Sequence, residues 1–236
     1  NTLTFVLRVK DSLGNVTADS TSETITFSAS SRIISVPGDY TTIQDAIDAA
    51  KPGDEIEIAP GVYTGLRNRD LDFGGADPNV LAITVRSMRP SDPEYVANTI
   101  IDCGGASHRG FIFENGEGPD SVLAGVTIRN GHIRIDGSAG APGQKGPNGS
   151  PGYGGGILCK NGSSPTIFNC VIENCIAEGG EGGQGGPGIP ADPEDPNSFP
   201  TPAGDGGDAG IASGGGIFCD ATSNPTITNC EIRNCE

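Results

Sequence analysis

Short segments in which apolar and polar residues alternate recur along most of this chain, with turn residues between them. Alternation with a period of two is typical of a β-strand that has one face in a core. The apolar residues are small or branched, as in the stacked coils of a solenoid. Beyond the first quarter of the chain, the predicted strands lie at 81–85, 99–102, 110–113, 122–123 and 125–129.

One earlier segment follows a helical period instead. Thr41 and Gln44 have the spacing of a capping box, which marks the start of a helix. The apolar residues that follow are spaced i, i+3, i+4 and i+7, which predicts an amphipathic helix of about ten residues. They are Ile43, Ala46, Ile47 and Ala50.

The last third of the chain contains a repeat with an offset of 60 residues, since Gly154–Cys159 returns as Gly214–Cys219 and Pro165–Ile167 as Pro225–Ile227. Without its inserted loop, each repeat has about 22–25 residues, the length of one coil of three strands. Stacked coils place like residues over one another, so we expect Ile, Cys and Asn ladders. The Cys and Asn members are Cys159, Cys219, Cys170, Cys230, Cys175, Cys235, Asn174 and Asn234.

The cysteines at repeat-equivalent positions allow two interpretations. Adjacent coils lie about 4.8 Å apart, within the Cα separation that a disulfide tolerates. Three bridges between coils are therefore one interpretation, and reduced, inward-facing thiols are the other. The total of seven cysteines leaves at least one unpaired within the chain.

Two loops inserted into the repeat, at about 137–155 and 179–213, have glycine at every third position over long tracts, with prolines between. A period of three with Gly and Pro is typical of polyproline II geometry, in which one face lacks side chains and packs closely. We predict a polyglycine-II-like bundle of three tracts that projects from the coils. The alternative is a disordered glycine-rich loop.

Residues 1–30 differ from the rest of the chain. Alternating segments at 3–9 and 23–27 flank the turn residues 11–15, a pattern that predicts a β-hairpin. The hairpin resembles the last two strands of the Ig-like domains of bacterial surface proteins. We expect a partial Ig-like or donor-strand segment here, followed by a second domain at 31–236.

The string from Thr42 to Tyr63, which contains the predicted helix and the strand Glu55-Ile56-Glu57-Ile58, resembles the N-terminal cap of the pectate-lyase and pectin-esterase superfamily. The resemblance implies a right-handed parallel β-helix. The expected fold is therefore all-β, a solenoid with a short N-terminal capping helix and glycine-rich insertions.

The charge and composition of the chain exclude some classes of function. The net charge of −16 excludes nucleic acid as a partner and disfavours anionic membranes. No apolar run is long enough to span a bilayer. The chain begins with Asn1, and we expect a mature or excised part of an extracellular, cell-surface protein.

Catalytic candidates are few. In His132-Ile133-Arg134-Ile135-Asp136 the polar residues alternate, so they could share one face of a strand. The segment departs from the galacturonase pattern, because Gly-His-Ile and Arg-Ile-Asp replace Gly-His-Gly and Arg-Ile-Lys. An outward polar face is the alternative for this segment. His108 and Arg109 are predicted to be a solvated loop pair.

A calcium site is the remaining candidate. Acidic residues of the second glycine-rich loop, Asp205 and Asp208 among them, are the potential ligands, although their spacing matches no known calcium loop. No other cofactor is expected.

We predict an extracellular structural or adhesive module, with self-association through its terminal β elements into a head-to-tail fibre. A polysaccharide-active enzyme and a glycan-binding module remain as alternatives.

Overall fold

The computed structural model describes residues 31–74, 82–195 and 197–236, together with the backbone of 2–6 and 22–26. The chain divides into two compact units, residues 1–32 and 33–236. In the first unit, β1 (Thr2–Val6) and β2 (Ser22–Thr26) pair antiparallel. The predicted turn at 11–15 lies outside the described residues.

The second unit consists mainly of short strands in parallel sheets, arranged in a way that is compatible with a β-solenoid. The largest sheet has six strands: β3 (Ile33–Val36), β4 (Glu55–Ile58), β7 (Thr84–Ser87), β10 (Val122–Ala124), β15 (Thr166–Phe168) and β20 (Thr226–Thr228). The second has five: β5 (Gly61–Thr64), β8 (Thr99–Asp102), β11 (Thr127–Arg129), β16 (Val171–Glu173) and β21 (Glu231–Arg233). The third has four: β6 (Leu71–Asp72), β9 (Phe111–Phe113), β14 (Ile157–Cys159) and β19 (Ile217–Cys219).

The chain visits these sheets in turn, and each strand pairs in parallel with the strand one circuit later. The six-stranded sheet shows the register most clearly, because one aliphatic position aligns through all of its strands. The aligned residues are Ile34, Ile56, Val85, Leu123, Ile167 and Ile227. All but Ile227 are buried, so an aliphatic column runs through the core between the sheets. The prediction of a mostly β protein with parallel strands is confirmed.

Two helices interrupt the strands. The first, α1 (Ile43–Ala49), buries Ile43, Ala46 and Ile47, as its apolar spacing predicts. Its N-cap is Thr42, whose side chain accepts a hydrogen bond from the amide of Asp45, so the predicted cap at Thr41 was wrong by one residue. The second, α2 (Pro93–Asn98), was not predicted from the sequence. Within the described residues, no helix has both the length and the apolar composition needed to cross a bilayer.

The two glycine-rich loops form one ordered bundle, which we divide into four legs: leg A (135–143), leg B (144–152), leg C (178–189) and leg D (201–212). Amide groups at every third residue donate to a neighbouring leg, as Gly137 does to Glu181 at 2.7 Å and Gly146 to Asp205 at 2.8 Å. Legs C and B are joined in the same way by Gly183 and Pro147, and legs D and C by Gly207 and Gly183, both at 2.8 Å.

The prediction of three tracts was wrong, because the first loop itself doubles back. Gly143 has a φ of +72°, and the amide of Gln144 donates to the carbonyl of Ala141, which closes a turn inside the unbroken glycine period. Where the bundle meets the circuits, two short parallel pairs form. They are β12 (His132–Ile133) with β17 (Ile176–Ala177), and β13 (Gly152–Tyr153) with β18 (Ala212–Ser213).

Candidate functional site

The predicted catalytic segment His132–Asp136 begins in β12 and continues into leg A. Ile133 is buried, and this fixes the alternation that turns the polar neighbours outward. The Nε of Arg134 donates to Asp136 at 2.9 Å. His132 does not contact Asp136 directly in the described contacts. Its Nε2 lies 3.3 Å from Glu178 Oε2 without forming a hydrogen bond, and the same oxygen lies 3.3 Å from Arg134 Nη1.

Two carboxylates of leg C complete this polar row, and sequence reasoning did not identify them. Glu178 joins His132 to Arg134, and Glu181 lies 2.8 Å from the Nη2 of Arg134. Asp136 and Glu181 are in contact although they lie 45 residues apart in the sequence, so no local pattern predicts the contact. The glycine period that the two loops share was a signal that the loops pack together.

The electrostatics of the row favour a structural role. The guanidinium of Arg134 lowers the pKa of Asp136 and of Glu178, so both carboxylates stay ionised. A general acid needs a raised pKa, and neither residue has one. The neighbouring hydroxyl, Ser107 Oγ, donates to the carbonyl of Arg134 at 2.5 Å and so makes no hydrogen bond to a histidine base.

The second histidine lies beside the first. The backbones of His108 and His132 exchange two hydrogen bonds of 3.0 and 2.9 Å, and His108 Nδ1 lies 2.6 Å from Asp70 Oδ2. The other oxygen of Asp70 accepts from the backbone amide of Arg109 at 2.9 Å. The predicted His108–Arg109 pair lies in a loop and is partly exposed, but the prediction missed Asp70, which binds both residues and holds them beside the third sheet.

A separate groove of about 440 Å³ lies on the second sheet beside α2. We call it the α2 groove; Arg129, Glu173 and Arg233 line it together with the side chains of α2. Its charged groups are paired along the sheet, with Arg129 bonded to Asp102 at 2.8 Å and Arg233 bonded to Glu173 at 2.6 Å. Glu231, which also lines the groove, binds the same Arg233 at 2.9 Å, so this guanidinium holds both carboxylates.

The predicted calcium ligands lie apart from other ligand groups. Asp208 is exposed, and Lys145 Nζ donates to it at 2.8 Å, which lowers its pKa. Asp205 contributes its backbone carbonyl to the bundle by accepting from Gly146. No group of three His, Cys, Asp or Glu residues in the described ranges is arranged to hold a metal ion.

The repeat-equivalent cysteines lie one above another. Cys159 and Cys219 are partners in the parallel register of β14 and β19. The amide of Cys170 lies 3.5 Å from the sulfur of Cys230. Asn174 and Asn234 have nearly the same left-handed conformation, with φ of 53° and 51°.

All seven cysteines are free in the structure. The structure therefore agrees with the interpretation of stacked, reduced thiols, and the interpretation of disulfides between coils has no support. Burial raises the pKa of Cys103, Cys170 and Cys175. Cys219 is exposed, and its neighbour Cys159 hydrogen-bonds to its sulfur, which lowers the pKa of Cys219 to about 7.

Alkylation with iodoacetamide is expected to separate these thiols. Cys219 should react first in the native protein, with a rate that reaches half its maximum near the pKa of about 7, because the thiolate is the nucleophile. Cys103, Cys159, Cys170 and Cys175 should react only after unfolding, since they are buried. Peptide mass spectrometry over a pH series measures both effects. Equal rates for Cys159 and Cys219 would contradict the stacking.

No family model, no curated protein and no solved structure matches this chain.

Proposed function

We propose that the chain is an extracellular structural or adhesive module, built as a right-handed parallel β-helix of the pectate-lyase type, with the glycine-rich bundle projecting from one side. The right hand rests on the strong preference of crossovers between parallel strands. The pectate-lyase likeness rests on the segment from Thr42 to Tyr63 that contains α1 and β4.

The observation that supports a structural role is the way in which arginines on the sheets pair with carboxylates. On two sheets, arginines pair with carboxylates of the previous circuit, and this pairing includes the two arginines that line the α2 groove. Arg86 binds Glu55 and Glu57 at 2.8 and 2.9 Å. Arg129 and Arg233 bind carboxylates one circuit back in the same manner, as described for the α2 groove. Cross-strand ion pairs of this kind support sheet pairing.

Self-association is supported by the last described circuit. The outer backbone edges of β19, β20 and β21 have no strand partner within the described part of the chain. Ile227 and Ile232 are 41% and 50% exposed there, whereas their ladder neighbours Ile167 and Ile172 are fully buried. An unpaired edge with apolar side chains is a template for strand addition.

We propose the β1–β2 hairpin of a second copy as the element that adds to this edge. A two-stranded hairpin is marginally stable by itself, and addition to an edge would supply the missing pairing. Repetition of one head-to-tail contact produces a fibre when the contact does not close into a ring.

Negative-stain microscopy and sedimentation of the purified chain test this proposal. We expect filaments whose amount rises with concentration, and loss of filaments when residues 1–30 are deleted or when Ile232 on the open edge is replaced by lysine. Leu66→Lys is the matched control, because Leu66 is highly exposed away from that edge. A monomer at every concentration, or filaments unchanged by the deletion, would refute the donor-strand contact.

A second candidate function, binding of an extracellular polysaccharide, is favoured by the α2 groove. Its volume of about 440 Å³ lies in the range of ligand sites. Affinity electrophoresis in gels with acidic or neutral polysaccharide measures this binding. Retardation that Arg129→Gln reduces would support it, and equal mobility in all gels would exclude it.

A further inference from the structure

Arg109 differs from the other described arginines because its guanidinium has neither an acceptor nor an aromatic ring as a described partner. The Nε of Arg109 is buried without a hydrogen-bond partner, and no described carboxylate lies within ion-pair distance of it. The contrast with its neighbours is clear. Carboxylates bind Arg67, Arg86, Arg129, Arg134 and Arg233, the carbonyl of Cys103 accepts from Arg69, and Arg89 lies over the ring of Tyr95.

The two nearest carboxylates are engaged elsewhere. Asp70 binds the ring of His108 at 2.6 Å, and Glu114 binds Lys160 Nζ at 2.6 Å. Desolvation lowers the pKa of Arg109, and the negative charges of Asp70 and Glu114 offset this effect only in part. A desolvated charge without a partner is unfavourable, and such groups in proteins are paired or bind a ligand.

The Arg109 side chain lines a groove of about 460 Å³ on the outer face of the third sheet. The rings of Tyr153 and Phe218 stack on one another there, with centroids 4.4 Å apart and planes 14° from parallel. Leu158, which is nearly buried, adds apolar surface. Asp220, which also lines the groove, accepts hydrogen bonds from Thr222 and the amide of Asn161 and forms no described ion pair with Arg109.

We propose that this groove binds a monocarboxylate that carries a flat apolar ring. The guanidinium of Arg109 receives the carboxylate, a geometry in which two parallel N–H···O bonds form, and the ligand ring lies against Tyr153 and Phe218. A single negative charge fits one uncompensated cation. A phosphate dianion fits less well, because Asp70 and Glu114 lie nearby and the whole chain has a net charge of −16.

The site does not depend on the proposed fibre, and its test uses the full chain with benzoate as the probe. Saturation-transfer NMR and calorimetry compare benzoate with benzamide, which has the same shape without the charge, and with inorganic phosphate. We expect benzoate to bind about tenfold more tightly than benzamide, since a charge-assisted bidentate contact is lost in the amide. Phosphate should bind more weakly than benzoate.

Substitutions locate the binding. Arg109→Gln should remove the preference for benzoate, whereas Arg69→Gln, a neighbouring arginine outside the groove, should keep it. Arg109→Gln should not lower the melting temperature of the free protein, because it removes an uncompensated charge. Phe218→Leu, which retains Arg109, should weaken the binding of benzoate several-fold. It should leave the binding of acetate, which has no ring, unchanged. Equal binding of benzoate and benzamide, or unchanged binding in both the Arg109 and Phe218 variants, would overturn the proposal.

Discussion

Replacing Gly183 with alanine is expected to disrupt the packing of the glycine-rich bundle. A Cβ at this position would lie 1.7 Å from the carbonyl oxygen of Ser138 in leg A, far inside contact distance. The backbone of Gly183 also donates to Pro147 in leg B and accepts from Gly207 in leg D, so any shift breaks contacts with three legs. We expect a loss of about 3 kcal/mol in the free energy of unfolding of the bundle.

Amide hydrogen exchange measures this loss locally. Protection of Gly137, Gly146 and Gly207 should fall, whereas protection of Ile128 in the second sheet should remain, because its strand partners are other circuits. Gly206→Ala is the matched control within leg D. Its added Cβ would lie 3.7 Å from the carbonyl oxygen of Gly183, an ordinary van der Waals distance. Equal effects of the two substitutions would show that the legs do not pack as described.

Ile167→Ala is expected to destabilise the second unit by about 3 kcal/mol, because Ile167 is fully buried between Leu123 and Ile227 in the aliphatic column. The methyl and methylene groups that are removed leave a cavity that neighbouring circuits cannot fill without breaking their register. Chemical denaturation followed by far-ultraviolet circular dichroism measures the change.

The repeat supplies the control for this variant. Ile227 occupies the same position one circuit later, directly paired with Ile167, but 41% of it is exposed. Ile227→Ala should therefore cost about 1 kcal/mol or less. If Ile227→Ala cost as much as Ile167→Ala, the burial gradient along the column would be wrong.

The sequence predicted the strands because identical residues at an offset of 60 need identical environments, and parallel stacking provides them. The column through Ile167 and Ile227 and the pairing of Cys159 with Cys219 follow that offset directly. The short helix α2 was missed, although Asp92 before Pro93 is a readable start signal, with the Asp92 side chain accepting from the amide of Glu94.

The number of legs in the bundle could not be obtained from the glycine period. A period of three continues unchanged through the turn at Gly143, because glycine is needed both for close packing and for a positive φ. The direction of the chain can therefore reverse without any change in the pattern.

The polar sites were the least predictable. Asp70 and His108 are 38 residues apart in the sequence, and their contact depends on the positive φ of Asp70. No local sequence pattern predicts this φ. The uncompensated charge of Arg109 is a property of its surroundings, since it arises only once Asp70 and Glu114 have other partners.

Successive circuits stack in register, so that equivalent side chains touch. Selective labelling of isoleucine methyl groups and measurement of their nuclear Overhauser effects test it most directly. We expect cross-peaks between Ile167 and Ile227, between Ile172 and Ile232, and between Ile157 and Ile217. Cross-peaks that instead join isoleucines of different sheet positions in an antiparallel pattern, without these three, would contradict it.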